Sequence, residues 1–364
     1  MQKIRVRTKP NGYLVQVGAG LLRRAGREVR RVLPSAASQV FVITSPNVRR
    51  HWGEPLEKSL RDAHLPYEIL EMHDGEPAKR LHTVEQLAER LVDARADRKS
   101  ILVAFGGGVI GDSAGFLAAI FMRGIPVVQI PTTVVAQVDA SIGGKTGVNL
   151  HAGKNLVGSF HQPATVLVDP DILGTLDDRE FRSGLFESLK CGVIRDSDLF
   201  DAMERNPKKL LDRDSQMMQR VIGDSIRVKA DVVSADEKES GLRRILNFGH
   251  TIGHALEAAT EYTHFLHGEA VAWGMIAAAA IARELGTCKA ETAERITAVV
   301  RACGPLPKVV CDVQKVMDRL VSDKKTVAGN VHFVLPEKIG KVKISGDVPA
   351  SIIRNAVELI RNHA

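Results

Sequence analysis

Aromatic residues are scarce: two tryptophans, three tyrosines and eleven phenylalanines, 4% of 364 residues. Stacking on bases or sugar rings is therefore not the main means of recognition. There are four cysteines, Cys191, Cys288, Cys303 and Cys311, and no CxxC pair. This spacing argues against a disulfide framework and a thiolate zinc site, and it fits a reducing, cytoplasmic setting. The longest apolar stretch, Val271 to Ala282, is interrupted by Gly274 and is too short to span a bilayer. It reads as a buried helix. The opening residues, MQKIRVRTKP, carry no apolar signal region. No run of lysine and arginine exceeds two, so the net charge of +7 is scattered. That pattern argues against nucleic-acid and membrane partners and leaves an anionic small molecule for basic residues inside motifs. Repeats and low-complexity segments are lacking as well.

The remaining composition is that of a soluble globular protein, 44% hydrophobic and 26% charged, at a length that suggests two domains. In the first part, short apolar runs alternate with helical patterns. Tyr13 to Val17, Gln39 to Thr44, Ile101 to Phe105, Pro126 to Ile130 and Thr165 to Val168 read as strands, with a turn at Ser45-Pro46-Asn47. Helices are expected over Val84 to Ala94 and from about Asp112 to Met122. Continuous apolar strands alternating with helices predict an α/β, Rossmann-like domain with a mostly parallel sheet over residues 1–177. Residues 178–364 are predicted to be mostly α-helical: Phe181 to Val193, Pro207 to Ala235, His250 to Thr260 and Glu269 to Leu285. One hairpin is expected, from Val331 to Leu335 and from Lys341 to Ile344.

Gly106-Gly107-Gly108-Val109-Ile110-Gly111-Asp112 satisfies GxGxxG between a strand and a helix. Glycines let backbone amides approach a pyrophosphate at a helix N-terminus. The next strand, however, ends near Ile130 without the acidic residue that grips a ribose. A second glycine segment, Asp139 to Gly147, contains Gly144-Lys145-Thr146 but has Asp139 where a P-loop needs glycine. It reads instead as a long loop bearing Lys145, followed by Gly153-Lys154-Asn155, and two lysines among glycines suit a phosphorylated ligand.

Four of twelve histidines, His250, His254, His264 and His267, fall within eighteen residues. His250 and His254 lie one helical turn apart on one face and are suited to sharing a divalent metal, or to one ligating while the other moves protons. Thr251 excludes HExxH. Glu187, amid an apolar helix face with Lys190 three residues on, is a candidate carboxylate ligand, the alternative being a surface Glu–Lys pair. Spacing leaves open which of His254, His264 and His267 completes the sphere.

The ordered segments GGGVIGD at Gly106, RGIPVVQIPTT at Arg123, AQVDASIGGKTGVN at Ala136, GKNLVGSFHQP at Gly153, FESLKCGVI at Phe186, GLRRILNFGHTIGHALE at Gly241, LHGEAVAWGM at Leu266 and DKK at Asp323 resemble the 3-dehydroquinate synthase family, from about residue 40 to 345. The resemblance implies a dehydroquinate synthase-like fold, NAD, and one divalent metal (zinc or cobalt) on Glu187, His250 and His267. It implies that His254 handles substrate and protons. Lys145, Lys154, Asn155, Lys190, Lys229, Arg243, Asn247, Lys324 and Lys325 match positions contacting substrate carboxylate, hydroxyls or phosphate. Asp139 and Arg123 match further active-site positions, Arg123 reaching a neighbouring subunit's substrate in a homodimer. NAD would rest on Gly107, Gly108, Val109 and Asp112, near Thr132, Thr133, Asp139, Lys145, Lys154, Thr175 and Leu176, with Glu76 and Lys79 further out. Ser45 stands where some members carry Asp near the adenine ribose.

The activity so implied is cyclisation of a phosphorylated sugar acid, 3-deoxy-D-arabino-heptulosonate 7-phosphate, by transient oxidation, phosphate elimination, re-reduction, ring opening and aldol closure. Alternatives are another sugar-phosphate cyclase or a metal-dependent polyol dehydrogenase. From a different class, a metal-stabilised binding protein would account for the histidines alone.

Overall fold

The computed structural model describes residues 1–35, 38–322 and 331–362. Packing divides the chain into two units, Met1–Leu176 with Met218–Lys238, and Asp177–Met217 with Glu239–Ala364. The first crossing lies where the sequence texture changes. The second unit is interrupted by residues 218–238, which pack with the first and which a single division at residue 177 does not anticipate.

In the first unit the strands are β1 (Gln2–Val6), β2 (Tyr13–Val17), β3 (Val40–Thr44), β4 (Tyr67–Glu71), β5 (Ile101–Gly106), β6 (Val127–Pro131), β7 (Lys145–Leu150), β8 (Gly153–Phe160) and β9 (Thr165–Val168). Helices α1 (Ala25–Arg31), α2 (Pro46–Asp62), α3 (Leu81–Asp93) and α4 (Gly108–Ile120) alternate with them. Seven strands form one sheet in the order β1-β2-β9-β6-β5-β3-β4, parallel except for the β1–β2 pair. Strands β3, β5, β6 and β9 are buried along their whole length, which explains their uninterrupted apolar sequence. The two-residue period sorts their side chains. Phe41, Ile43, Leu102 and Ala104 join Leu87 of α3 and Leu117 of α4. Val40, Val42, Ile101 and Val103 join Val29 of α1 and Leu56 of α2 on the other face.

The chain steps from β3 out to β4 and then returns to the other side of β3 as β5. The order thus reverses between β3 and β5, and their carboxyl ends lead into Ser45 and Gly107. Such a reversal is where open α/β sheets take ligands.

Three expectations for this unit need correction. Ser45-Pro46-Asn47 is the start of α2 and no turn: the Ser45 hydroxyl accepts from the Val48 amide at 3.4 Å and Pro46 occupies the first helical position. Helix α4 begins at Gly108, four residues before Asp112. The lysine-bearing segment is no structureless loop but the antiparallel hairpin β7–β8. Its glycines are required by close pairing: a Cβ on Gly158 would lie 2.1 Å from the Thr146 carbonyl oxygen, and one on Gly147 2.6 Å from that of Val157.

The second unit contains α5 (Asp178–Arg195), α6 (Ser197–Arg205) and α7 (Pro207–Leu211). After α8 (Ser215–Ala235), most of which packs with the first unit, come α9 (His250–Ala259), α10 (His267–Glu284), α11 (Ala290–Ala302), α12 (Val313–Ser322), the hairpin β10 (Phe333–Lys338) and β11 (Lys341–Ser345), and α13 (Ala350–Asn362). The single helical pattern expected over Pro207 to Ala235 is broken at 212–214, where Arg213 adopts a left-handed φ of 55°. Helix α10 is the axis of this unit, packed by α5, α9, α11, α13 and β10. Its contacts on α9 and α5 are backbone to backbone. A Cβ on Gly274 would fall 1.8 Å from the Gly249 carbonyl oxygen, and one on Gly268 1.8 Å from that of Ser183.

Candidate metal centre and nucleotide-binding loop

That close approach of α9 and α10, with α5 against α10, brings five predicted residues together. Glu187 and Lys190, one turn apart on α5, are each 1% exposed and form an ion pair, so the surface-pair alternative fails. The ammonium engages Oε2 of Glu187. Oε1 is buried without a hydrogen-bond partner. It lies 3.7 Å from Nε2 of His250 and 3.6 Å from Nε2 of His267. The His254 ring centroid is 5.3 Å from that of His250 and 5.8 Å from that of His267. His250, His254 and His267 also form a cluster whose ligand atoms lie within 4.8 Å of one another.

A buried carboxylate oxygen with no donor is costly. Ligands bound tetrahedrally at 2.0–2.2 Å sit about 3.4 Å apart, close to the separations found here. The other ring nitrogens are already engaged. Nδ1 of His250 lies 3.1 Å from the Phe248 carbonyl oxygen, and Nδ1 of His267 lies 3.3 Å from Oε2 of Glu257. Both bonds call for hydrogen on Nδ1 and leave Nε2 facing Glu187 with a lone pair. The donor set therefore fits a divalent metal. Burial opposes protonation of His267, but its bond to Glu257 and the charges of Glu257 and Glu187 outweigh burial and raise its pKa. His264 stays apart, its Nε2 2.8 Å from the Lys308 carbonyl oxygen. Arg243 and Asn247 lie on the short turn Leu242–Asn247 before Gly249; Arg243 is buried, and Asn247 donates to Oε1 of Glu239 at 3.1 Å.

In the first unit, Gly107, Gly108 and Val109 form the start of α4 at the carboxyl end of β5. A Cβ on Gly107 would meet the Thr133 methyl at 3.1 Å, and the Thr132 amide donates to the Gly106 carbonyl, so Thr132 and Thr133 adjoin the loop. Glycine there keeps the amides open to a phosphate group, and the arrangement fits a nucleotide. The buried Lys79 bridges Oδ2 of Asp112 at 2.5 Å and Oδ1 of Asn155 at 2.6 Å. Asn149 carries the network on, accepting from the Asn155 amide and donating to Glu76. Burial raises the Asp112 pKa against the charge of Lys79. Lys229 of α8 holds the Asp139 carboxylate and its carbonyl oxygen.

Other candidates are not gathered. Lys145 opens β7 while Lys154 lies near the hairpin tip, roughly 14 Å along the ladder at 3.4 Å per residue. Thr175 accepts from the Trp52 indole at 2.8 Å, with Leu176 next to it. Arg123 is exposed beyond the far end of α4, about 20 Å of helix from Gly107. Lys324 and Lys325 lie outside the described residues.

Sequence reasoning missed Glu257, Glu239, Asn149 and the Arg179–Glu269 pair. Arg179 grips both oxygens of Glu269 at 2.7 and 2.8 Å and also donates to the His264 carbonyl, while Glu269 caps the Leu266 amide. Glu257 was findable: it stands three residues after His254 and seven after His250, on one helix face.

Enzymes that join a Rossmann-like unit to a helical metal-binding unit form one structural class, and this chain shares their fold. 2-epi-5-epi-valiolone synthase from Streptomyces hygroscopicus, solved with NAD+ and Zn2+ bound, is 30% identical with a TM-score of 0.89, over 98% of this chain and 99% of its own. 2-deoxy-scyllo-inosose synthase, solved with carbaglucose-6-phosphate, NAD+ and Co2+, is 27% identical with a TM-score of 0.87, over 99% of each chain. A 3-dehydroquinate synthase from Koribacter versatilis is 55% identical over 361 residues, covering 99% of this chain and 98% of its own. The 3-dehydroquinate synthase N-terminal and C-terminal family descriptions match residues 69–183 and 184–326. The chain belongs to the 3-dehydroquinate synthase family. Among the described residues, no helix is long and apolar enough to cross a membrane.

Proposed function

We propose that the protein is a 3-dehydroquinate synthase, a phosphate-eliminating lyase that converts 3-deoxy-D-arabino-heptulosonate 7-phosphate to 3-dehydroquinate and phosphate in the shikimate route to aromatic amino acids. The observation that carries this reading is the orphaned Oε1 of Glu187 between two Nε2 atoms, in a chain with full-length 3-dehydroquinate synthase relatives.

Glu187, His250 and His267 would hold the divalent metal, which would supply Lewis acidity for the substrate's vicinal hydroxyls. Bound NAD would supply reversible hydride acceptance, which leaves the net reaction redox-neutral. The amides of Gly107, Gly108 and Val109, at the start of α4, would hold its pyrophosphate. Thr132 and Thr133 adjoin that loop, and Lys79 orders Asp112 and Asn155 beside Glu76. His254 neighbours both histidine ligands and moves protons to and from the substrate. Lys190 neutralises one oxygen of Glu187. Lys229 orients Asp139. Lys145, Lys154, Arg243 and Asn247 contact the anionic and hydroxyl groups of the substrate, with the Lys324-Lys325 pair. Cations placed beside a leaving phosphate stabilise the charge that develops on it. Exposed Arg123 serves the substrate of the second subunit in a cytoplasmic homodimer.

The test incubates metal-loaded protein with catalytic NAD and the heptulosonate phosphate. Equal release of phosphate and 3-dehydroquinate, abolished by a chelator and without net NADH, is the expected result. Turnover of a different sugar phosphate, or release of NADH from a polyol, would replace this reading with one of its two rivals.

A further inference from the structure

Glu257 has no place in the ligand set, yet it is among the most buried acids of the second unit, 4% exposed on α9. Its Oε2 lies 3.3 Å from Nδ1 of His267, the first residue of α10, on the side of the ring away from Glu187. His250 has a neutral partner at the equivalent atom, the Phe248 carbonyl oxygen. The two rings are therefore oriented by different devices, a main-chain acceptor for one and a carboxylate for the other.

We propose that Glu257 is a positioning residue for the metal centre: it keeps the hydrogen of His267 on Nδ1 and aims Nε2 at Oε1 of Glu187. The inference rests on the metal reading given above.

Three observations point the same way. A carboxylate beside Nδ1 only accepts, so it selects the tautomer whose lone pair is on Nε2. The His267 ring is 36% exposed, against 9% for His250, so packing alone does not fix it and a directed bond is needed. The main chain beneath it is secured independently, because Glu269 caps the Leu266 amide and is held by Arg179. The bond from Glu257 acts on the rotation and tautomer of the ring. Carboxylate partners of ligating imidazoles change metal affinity by about 10–100-fold.

The experiment uses the full-length protein with Zn2+ and Co2+ as probes. Dissociation constants are measured by chelator competition for wild type, Glu257→Gln and Glu257→Ala, alongside the visible Co2+ spectrum and thermal unfolding of the metal-free proteins. We expect metal binding to weaken about 10-fold in Glu257→Gln and towards 100-fold in Glu257→Ala, with a changed Co2+ band and, in alkaline solution where the His267 proton no longer contributes, little change in metal-free unfolding temperature. A merely structural role would lower the unfolding temperature and leave the spectrum of the loaded protein alone. Unchanged affinity in both variants overturns the inference while leaving the metal site standing. Wild type that binds no metal, or binds it equally after His250→Ala, overturns the metal reading and this inference with it. Should the variants fail to fold, nitrogen-detected NMR of wild type in alkaline solution decides: hydrogen on Nδ1 of His267 supports the inference, and hydrogen on Nε2 refutes it.

Discussion

Replacing Lys190 with methionine isolates the electrostatics of the buried cluster. The substitution nearly conserves volume but removes the cation paired with Glu187, both side chains being at most 1% exposed. Breaking such a pair from one side costs about 3–5 kcal/mol because the remaining charge has no water to return to. At 2–4 °C per kcal/mol, the metal-free variant should unfold about 6–20 °C below wild type. Saturating zinc should narrow the gap, because a divalent ion at Oε1 replaces the missing positive charge. The assay is thermal unfolding near neutral pH, with and without zinc. A deficit under about 1 kcal/mol, or one that zinc leaves unchanged, would refute the reasoning.

Gly274→Ala sets a Cβ 1.8 Å from the Gly249 carbonyl oxygen, so α9 and α10 must part. A loss of at least about 1–3 kcal/mol and weakened Co2+ binding are expected, read by denaturation and absorbance. His267 has a raised pKa, so it adds stability to the metal-free protein that is complete below the ordinary histidine value of 6.5 and is lost as pH rises through the higher folded value. Metal competes with that proton, so calorimetry in buffers of different ionisation enthalpy should detect proton release on zinc binding near neutrality, and affinity that falls as pH falls. Lys79→Met removes the donor shared by Asp112 and Asn155 and should weaken NAD binding about 10–100-fold in a fluorescence titration; unchanged affinity would separate this network from the nucleotide.

The buried strands, the glycine loop and the helical second half were legible because each is written locally, in apolar runs or periodic faces. The β7–β8 hairpin was not, because Gly147 and Gly158 look like flexibility in one dimension and become close packing only when paired. The two lysines that seemed one phosphate site were separated by the same pairing. Strand β4, YEILE, escaped notice because its charged residues dilute the apolar signal at the sheet edge. The return of residues 218–238 to the first unit depends on bonds with partners more than two hundred residues away, Arg7 to Ser234 and Lys9 to Glu237. In the metal cluster, spacing placed His250 and His254 on one face, but the choice of His267 over His264 depends on how α10 meets α9.

Helix α9 sets a rule about length. His250, His254 and Glu257 occupy less than three turns, and each has a different task in the function proposed above: a ligand beside Glu187, a proton carrier, and the partner of a ring on α10. Inserting or deleting one residue among them turns whatever follows by about 100° and shifts it by 1.5 Å. Three tasks would then be misaligned at once. Eight of the ten residues of this helix are buried, so neither its faces nor its register leave room for change. A homologous chain with a different count between these three residues should therefore have lost the metal, the proton path or both.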